Sequence, residues 1–195
     1  MPTKKIGLPG LVLLFMIGVL FSCRRENLSA PNTLSDSTAL FSASINGTAW
    51  QTDSVSGFLS CEYGGKVRIM TITGYTSGRV ISISLRDTTT SGSNDSTLAI
   101  QTYLVGAPGN ASAFAYANNP VVLGRNLVWQ QQGTARSGEA TVTASDGVNK
   151  RITGSFQFTA RLLVLDSVVG SLRADTVSVT NGVFSNIPYT YFRHD

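Results

Sequence analysis

The stretch FSASINGTAWQT, residues 41–52, places an Asn-Gly pair between two runs in which apolar and polar residues alternate. Successive side chains of a strand point to opposite sides, so Phe41, Ala43 and Ile45 would share one face. Asn46-Gly47 is a pair favoured in type I′ turns, because both central residues of that turn need positive φ. The stretch therefore predicts a β-hairpin at the start of the folded region.

The same two-residue alternation recurs in short runs along the rest of the chain. Runs rich in β-branched and aromatic residues, separated by turn-forming pairs, predict strands rather than helices. The runs are KVRIMTITG (66–74), RVISISLRD (79–87), EATVTASD (139–146), RITGSFQFTARLLVL (151–165) and DTVSVTNGVF (175–184). We predict an all-β domain of about nine to eleven antiparallel strands. The sequence leaves open whether they form a two-sheet sandwich or a flattened barrel.

Two stretches interrupt this regularity. APGNASAFAYANNP (107–120) is bounded by Pro and Asn, and we expect a loop with a brief strand there, or a short helix. Asn181-Gly182 lies inside an alternating run, where the pair either bends a strand or ends it.

The N-terminus has the pattern of a secretory leader. Lys4 and Lys5 precede an apolar run that continues to about Phe21, short for a membrane span. The run ends in Leu20-Phe21-Ser22-Cys23, which resembles the lipobox of bacterial lipoproteins. The resemblance implies that the Cys23 thiol receives a diacylglyceryl group, that cleavage occurs before it, and that the new amine is acylated. The alternative is an ordinary signal peptide with a chance cysteine.

These features divide the chain into three parts. Residues 1–22 are expected to be a lipoprotein signal peptide, residues 23–39 the lipidated Cys23 and a flexible tether, and residues 40–195 a single all-β domain. The membrane is then a partner through the lipid on Cys23, and the outer membrane is the expected location. RREN (24–27) lacks the acidic cluster that, by resemblance, directs many such lipoproteins to the cell surface, so we expect the periplasmic face.

The two ends of the domain also resemble a known group of proteins. FSASINGTAWQTD at its start and ITGSFQFTA with VSVTNGVFSNIPY near its end are similar to small all-β Bacteroidota lipoproteins of uncharacterised function. The resemblance implies an envelope-anchored β protein and no particular activity. Envelope proteins of that phylum are often O-glycosylated at Asp-Ser/Thr motifs, and by this resemblance Ser37 and Ser96 are the leading candidates.

The net charge and the two cysteines limit the partners and the chemistry expected of this protein. Loss of Lys4 and Lys5 with the leader lowers the net charge from +4 to +2, and the remaining basic residues are scattered. We therefore expect no nucleic-acid partner. With Cys23 lipidated, Cys61 has no disulfide partner and is expected to be a buried, inert thiol.

The sequence shows no catalytic constellation. Its single histidine, His194, is the penultimate residue, which disfavours a nucleophile–base pair, and no cluster of ligands predicts a metal site or another cofactor. We expect a non-catalytic binding or accessory module with a glycan or protein partner. The alternatives are a hydrolase acting on glycans or peptides with a site dispersed over loops, and a structural partner in an envelope complex.

The most suggestive binding stretch is LVWQQQGTARSG (127–138). Trp129 could offer a flat face to a sugar, and the amides of Gln130, Gln131 and Gln132 could donate hydrogen bonds from a loop-prone segment. The alternative interpretation is a strand that ends in a polar loop.

Overall fold

Ten β-strands make up most of the computed structural model, which describes residues 39–62, 66–89, 96–107, 112–123, 125–166 and 171–193. The strands are β1 (Leu40–Ile45), β2 (Thr48–Gln51), β3 (Ser54–Glu62), β4 (Val67–Tyr75), β5 (Arg79–Asp87), β6 (Thr102–Leu104), β7 (Ala113–Leu123), β8 (Asn126–Asp146), β9 (Arg151–Asp166) and β10 (Ser171–Arg193). The described ranges contain no helix. The all-β class and the expected number of strands are confirmed.

Seven of these strands pair in a closed circuit. The order around it is β10, β3, β4, β5, β7, β8, β9 and again β10. Strand directions cannot alternate all the way round an odd-numbered circuit, so at least one pair must be parallel. That pair is β3 with β10, and the other pairings are antiparallel. The β1–β2 hairpin adds to β10, and β6 adds to β8.

The first hairpin has the predicted turn. Asn46 and Gly47 have φ angles of 48° and 82°, as a type I′ turn requires. The Asn46 side chain also accepts a hydrogen bond from the backbone N–H of Ser178, 2.9 Å away, which ties the turn to β10.

Strand β10 is long enough to pair with three others because it bends. Its register against β9 shifts between Val179 and Gly182, where Asn181 has a φ of 51°. A Cβ on Gly182 would lie 2.5 Å from the Phe156 carbonyl oxygen, so the close approach of β9 requires glycine here. Of the two alternatives for Asn181-Gly182, the bend inside a strand is the one observed.

The circuit encloses an apolar core built from the inward-facing residue of each alternating pair. Phe156 stacks on Phe41 with 5.1 Å between ring centroids, and the rings of Phe158 and Phe184 lie 6.3 and 6.4 Å away. Trp50 of the hairpin meets the Phe41 ring edge-on at 6.0 Å. Aromatic rings at these separations attract one another beyond the apolar area they bury.

One part of the interior is polar. Arg68 and Asp87, whose side chains are 3% and 0% exposed, form an ion pair with 3.2 Å between Nη2 and Oδ2. The Asp87 carboxylate also accepts hydrogen bonds from Thr89 and from the Ala99 amide. The Tyr103 hydroxyl donates to the Ala99 carbonyl at 2.8 Å. These contacts hold residues 96–101 against the buried ends of β4 and β5.

One local expectation changes and another is confirmed. Residues 113–120 belong to the eleven-residue strand β7, not to a brief strand within a loop or a short helix. The strand runs through Asn119, which has a φ of 54°, and through Pro120, which faces Trp129 of β8. Cys61 is free and fully buried, as expected.

Candidate functional site

A groove lies on the outer face of the circuit, where β5, β7, β8 and β9 are neighbours. Strand pairing aligns its lining side chains in two rows. One row is Ser82, Ala115, Thr134 and Arg161, and the other is Val80, Ala117, Gln132 and Leu163. Each row therefore places an alanine of β7 between larger side chains of the flanking strands.

The alanines explain why the surface is concave. Ala115 and Ala117 are alternate residues of β7 and project from the same face. Their methyl groups are shorter than the side chains of Gln132, Arg161 and Leu163, which line the same cavity from β8 and β9. The resulting cavity has a volume of about 550 Å³, larger than three others of about 430, 260 and 200 Å³.

Arg136 reaches the same wall through a bulge. The register between β8 and β9 pairs Ala135 with Ala160 and Ser137 with Thr159, which leaves Arg136 without a direct cross-strand partner. A bulge of this kind re-aims one side chain of a strand. Arg136 is exposed and lines the groove together with Arg161, so two arginine residues line one cavity.

Neither Arg136 nor Arg161 forms an ion pair with another described residue. The ion pairs found there are Arg68–Asp87 in the interior and Arg173–Asp175 on the surface. The side chains of Arg136, Arg161 and Gln132 make no hydrogen bond with another described residue. Their donors therefore face solvent in the groove.

Tyr116 and Gly133 lie beneath the groove, paired across β7 and β8. A Cβ on Gly133 would lie 2.0 Å from the Arg161 carbonyl oxygen, so glycine is what lets β9 approach so closely. Tyr116 is 3% exposed, and burial raises the pKa of its hydroxyl although the positive charge of Arg79 opposes the rise. The phenol is thus neutral and its ring is covered.

The residues predicted as a sugar platform do not all lie on one face of the sheet. Trp129, Gln130, Gln131 and Gln132 lie within the continuous strand β8, not in a loop. Alternation sends Gln130 and Gln132 to one face and Trp129 and Gln131 to the other. Gln132 lines the groove, whereas half-buried Gln131 accepts a hydrogen bond from Asn118 at 3.4 Å.

The sequence alone did not single out the other groove residues, although they alternate along their strands in a recognisable pattern. Gln132, Thr134 and Arg136 alternate along QGTAR, and Ala115 and Ala117 alternate along AFAYA. Both patterns are those of a strand with one exposed face. The pairing that brings the two patterns together, and that adds Arg161, requires the fold.

The remaining predicted positions lie elsewhere. Ser96 is half-buried, and its hydroxyl donates to the Gly147 carbonyl at 3.4 Å while its own carbonyl accepts a hydrogen bond from Tyr189. Cys23, Ser37 and His194 lie outside the described residues.

Two kinds of feature are absent from the described ranges. No three His, Cys, Asp or Glu side chains there come together as metal ligands. No helix there has the length and hydropathy of a membrane span.

Comparison with known proteins places the chain in a family. Neither the curated proteins nor the solved structures include a match. The sequence pattern of a domain of unknown function, DUF6252, matches residues 37–188, most of the chain and nearly all of the described strands. The chain therefore belongs to the uncharacterised DUF6252 family.

Proposed function

We propose that this protein is a lipoprotein of the bacterial outer membrane that acts as a non-catalytic binding module and binds its ligand in the groove over β7. The observation that carries the proposal is the convergence of Arg136, Arg161 and Gln132 on a cavity of about 550 Å³ with their donors unengaged by other described residues. Binding sites combine a preformed concave surface with a few convergent polar groups.

The chemistry of the groove favours binding over hydrolysis. The residues that line it offer guanidinium, amide and hydroxyl groups, and none of these described residues is a carboxylic acid, histidine or cysteine. A glycosidase site needs two carboxyl groups facing each other across a cleft. Asp87 instead pairs with Arg68 in the interior, and Asp146 accepts hydrogen bonds within its own turn. The dispersed-site hydrolase is therefore the weaker alternative.

The anchor is proposed from the sequence around Cys23. Each buried methylene contributes about 0.8 kcal/mol to membrane binding, so one acyl chain binds only marginally and two or three bind stably. Lipid on Cys23 would hold the domain at the membrane without a spanning helix. The RREN segment that follows lacks an acidic cluster, which supports the periplasmic face, and the resemblance of FSASINGTAWQTD and VSVTNGVFSNIPY supports a Bacteroidota-type lipoprotein.

Filling the groove tests the binding role. Ala115→Trp places a large side chain on the floor and leaves both arginines in place, and Ala117→Phe is a second, milder block. Thr48→Trp, at an exposed position of the edge strand β2, is the matched control. The full chain in detergent is screened against a panel of neutral and acidic bacterial polysaccharides. We expect binding that both groove variants abolish and the control retains; binding unaffected by either block would refute the proposal.

Removing the thiol tests the anchor. Cys23→Ala should abolish incorporation of labelled palmitate and move the protein from the membrane fraction to the soluble fraction. Protection of the wild-type chain from protease added to intact cells would support the periplasmic face, whereas digestion would place the protein on the surface. Palmitate labelling that survives Cys23→Ala would contradict the anchor.

A structural role in an envelope complex has one supporting observation. Phe58 and Phe192, which are 40% and 43% exposed, stack on the outer face of β3 and β10 with 4.9 Å between ring centroids. Exposed aromatic pairs are typical of protein interfaces. Phe58→Ser should remove a cross-linked partner in envelope preparations; an unchanged cross-linking pattern would contradict this second candidate.

A further inference from the structure

We infer that the groove binds an acidic polysaccharide, a sugar chain whose carboxylate groups are held by Arg136 and Arg161. The inference rests on the proposed binding function and adds the chemical class of the ligand.

The charge of the groove selects an anion. Two guanidinium groups line one cavity with no carboxylate among its lining residues and none in an ion pair with either arginine in the described part of the chain. Guanidinium groups bind carboxylates through two parallel hydrogen bonds, which are stronger than hydrogen bonds between neutral groups. The carboxylates of a ligand would therefore accept hydrogen bonds from guanidinium groups that bond to no other described residue.

The strand pairing disfavours an extended peptide. Peptides commonly bind sheets by adding a strand to a free edge. In the groove each of β5, β7, β8 and β9 is paired on both sides, so the backbone offers no free edge. Recognition there must come from side chains, and Ser82, Thr134 and Gln132 add hydroxyl and amide groups that can hydrogen-bond sugar hydroxyls.

The covered aromatic ring disfavours a neutral sugar. The one aromatic residue of the lining, Tyr116, is 3% exposed, so its ring cannot serve as a stacking platform. Without such a platform, charge is the main source of affinity in the groove. The lining residues of β7 run from Ala115 to Ala117, roughly 7 Å at about 3.4 Å per residue, which is longer than a single small anion.

The test measures binding of the full chain in detergent micelles by calorimetry at low and high NaCl. The probe is an oligomer of galacturonic acid. Its controls are the same oligomer with methyl-esterified carboxylates, dextran sulfate, neutral dextran and polyglutamate. We expect the oligomer to bind, methyl esterification to abolish binding, and affinity to fall as NaCl is raised, because screening weakens exposed charge pairs.

Charge variants test the arginines. Arg136→Gln and Arg161→Gln should each weaken binding about tenfold, and the double variant about a hundredfold, where tenfold corresponds to about 1.4 kcal/mol. Lys66→Gln combined with Arg125→Gln removes the same total charge at exposed turns outside the groove lining and should leave affinity within about twofold. Circular dichroism of every variant checks that the fold is retained, and Arg136→Lys with Arg161→Lys should restore part of the affinity.

The outcomes test the acidic polysaccharide ligand separately from the binding function of the groove. Equal binding of the esterified oligomer or neutral dextran, blocked by Ala115→Trp, would overturn the acidic ligand and leave the binding function standing. Binding of polyglutamate as tight as that of the sugar would overturn the polysaccharide. Binding of dextran sulfate alone would overturn the carboxylate and assign sulfate. No binding of any acidic probe would overturn the inference, and binding that Ala115→Trp leaves unchanged would overturn both claims.

Discussion

Replacing Asp87 by Asn tests how strongly the buried ion pair holds the interior together. Asp87 Oδ1 accepts hydrogen bonds from the Thr89 amide at 2.9 Å and the Thr89 hydroxyl at 2.6 Å. Its Oδ2 accepts from the Ala99 amide at 3.0 Å and from Arg68 Nη2 at 3.2 Å. Asn keeps the shape, but its amide nitrogen replaces an acceptor and its lost charge removes the carboxylate that pairs with the buried Arg68 cation.

The structure sets the size of the effect. Removing one partner of a buried ion pair costs about 3–5 kcal/mol of unfolding free energy. For a domain of this size about 1 kcal/mol corresponds to 2–4 °C, so the melting temperature should fall by about 6–20 °C. The exposed pair Arg173–Asp175, whose side chains are 70% and 54% exposed, is the control, and Asp175→Asn should cost less than about 1 kcal/mol.

The assay is thermal and urea unfolding of residues 24–195, followed by circular dichroism. A third variant that replaces the pair by apolar residues, Arg68→Met with Asp87→Leu, should be more stable than Asp87→Asn because it leaves no charge buried alone. Equal melting temperatures for Asp87→Asn and Asp175→Asn would refute the reasoning, since the interior pair would then contribute no more than a surface pair.

Three further predictions concern pH and packing. Burial raises the pKa of Asp87, but the Thr89 and Ala99 hydrogen bonds and the Arg68 charge outweigh it and hold the pKa below the usual 3.8. The resulting stabilisation is present above about pH 4 and lost as pH falls through the native pKa, so urea midpoints should drop as pH falls below about 4, more steeply in the wild type than in Asp87→Asn. Burial raises the pKa of Tyr103 above its usual 10.0, so stability should decline as pH rises above about 10, and Tyr103→Phe should reduce this decline in alkaline urea titrations; an unchanged slope would contradict the assignment. Gly133→Ala should lower the melting temperature by several degrees and weaken any binding in the groove, because its Cβ would meet the Arg161 carbonyl oxygen at 2.0 Å; wild-type stability would show that β9 can move away.

The class of the fold could be predicted because it depends on local patterns. Alternation along residues 66–87 and 151–184 defines strands with a buried face, and Asn46-Gly47 defines a turn whose φ angles follow from its residues. The closed circuit could not be predicted in the same way. It depends on the parallel pairing of β3 with β10, strands that are far apart in sequence and joined by no local signal.

The candidate site could be predicted only in part. The amide of Gln132 marks it as a candidate, but alternation along β8 separates Gln132 from Trp129 and Gln131, its neighbours in the sequence. Pro120 and Asn119 favour a loop, yet β7 continues through both residues, with Asn119 in the left-handed region. Arg161 joins Thr134 and Arg136 through the cross-strand register of β8 with β9, which no single run of residues encodes.

The most direct test of the groove as the binding surface is nuclear magnetic resonance of the arginine side chains during titration with a galacturonic acid trimer. The Nε–Hε signals of Arg136 and Arg161 should shift with one common affinity, while that of Arg125, in the turn between β7 and β8, stays in place. Unchanged signals from both groove arginines, with shifts confined to other parts of the protein, would contradict the account.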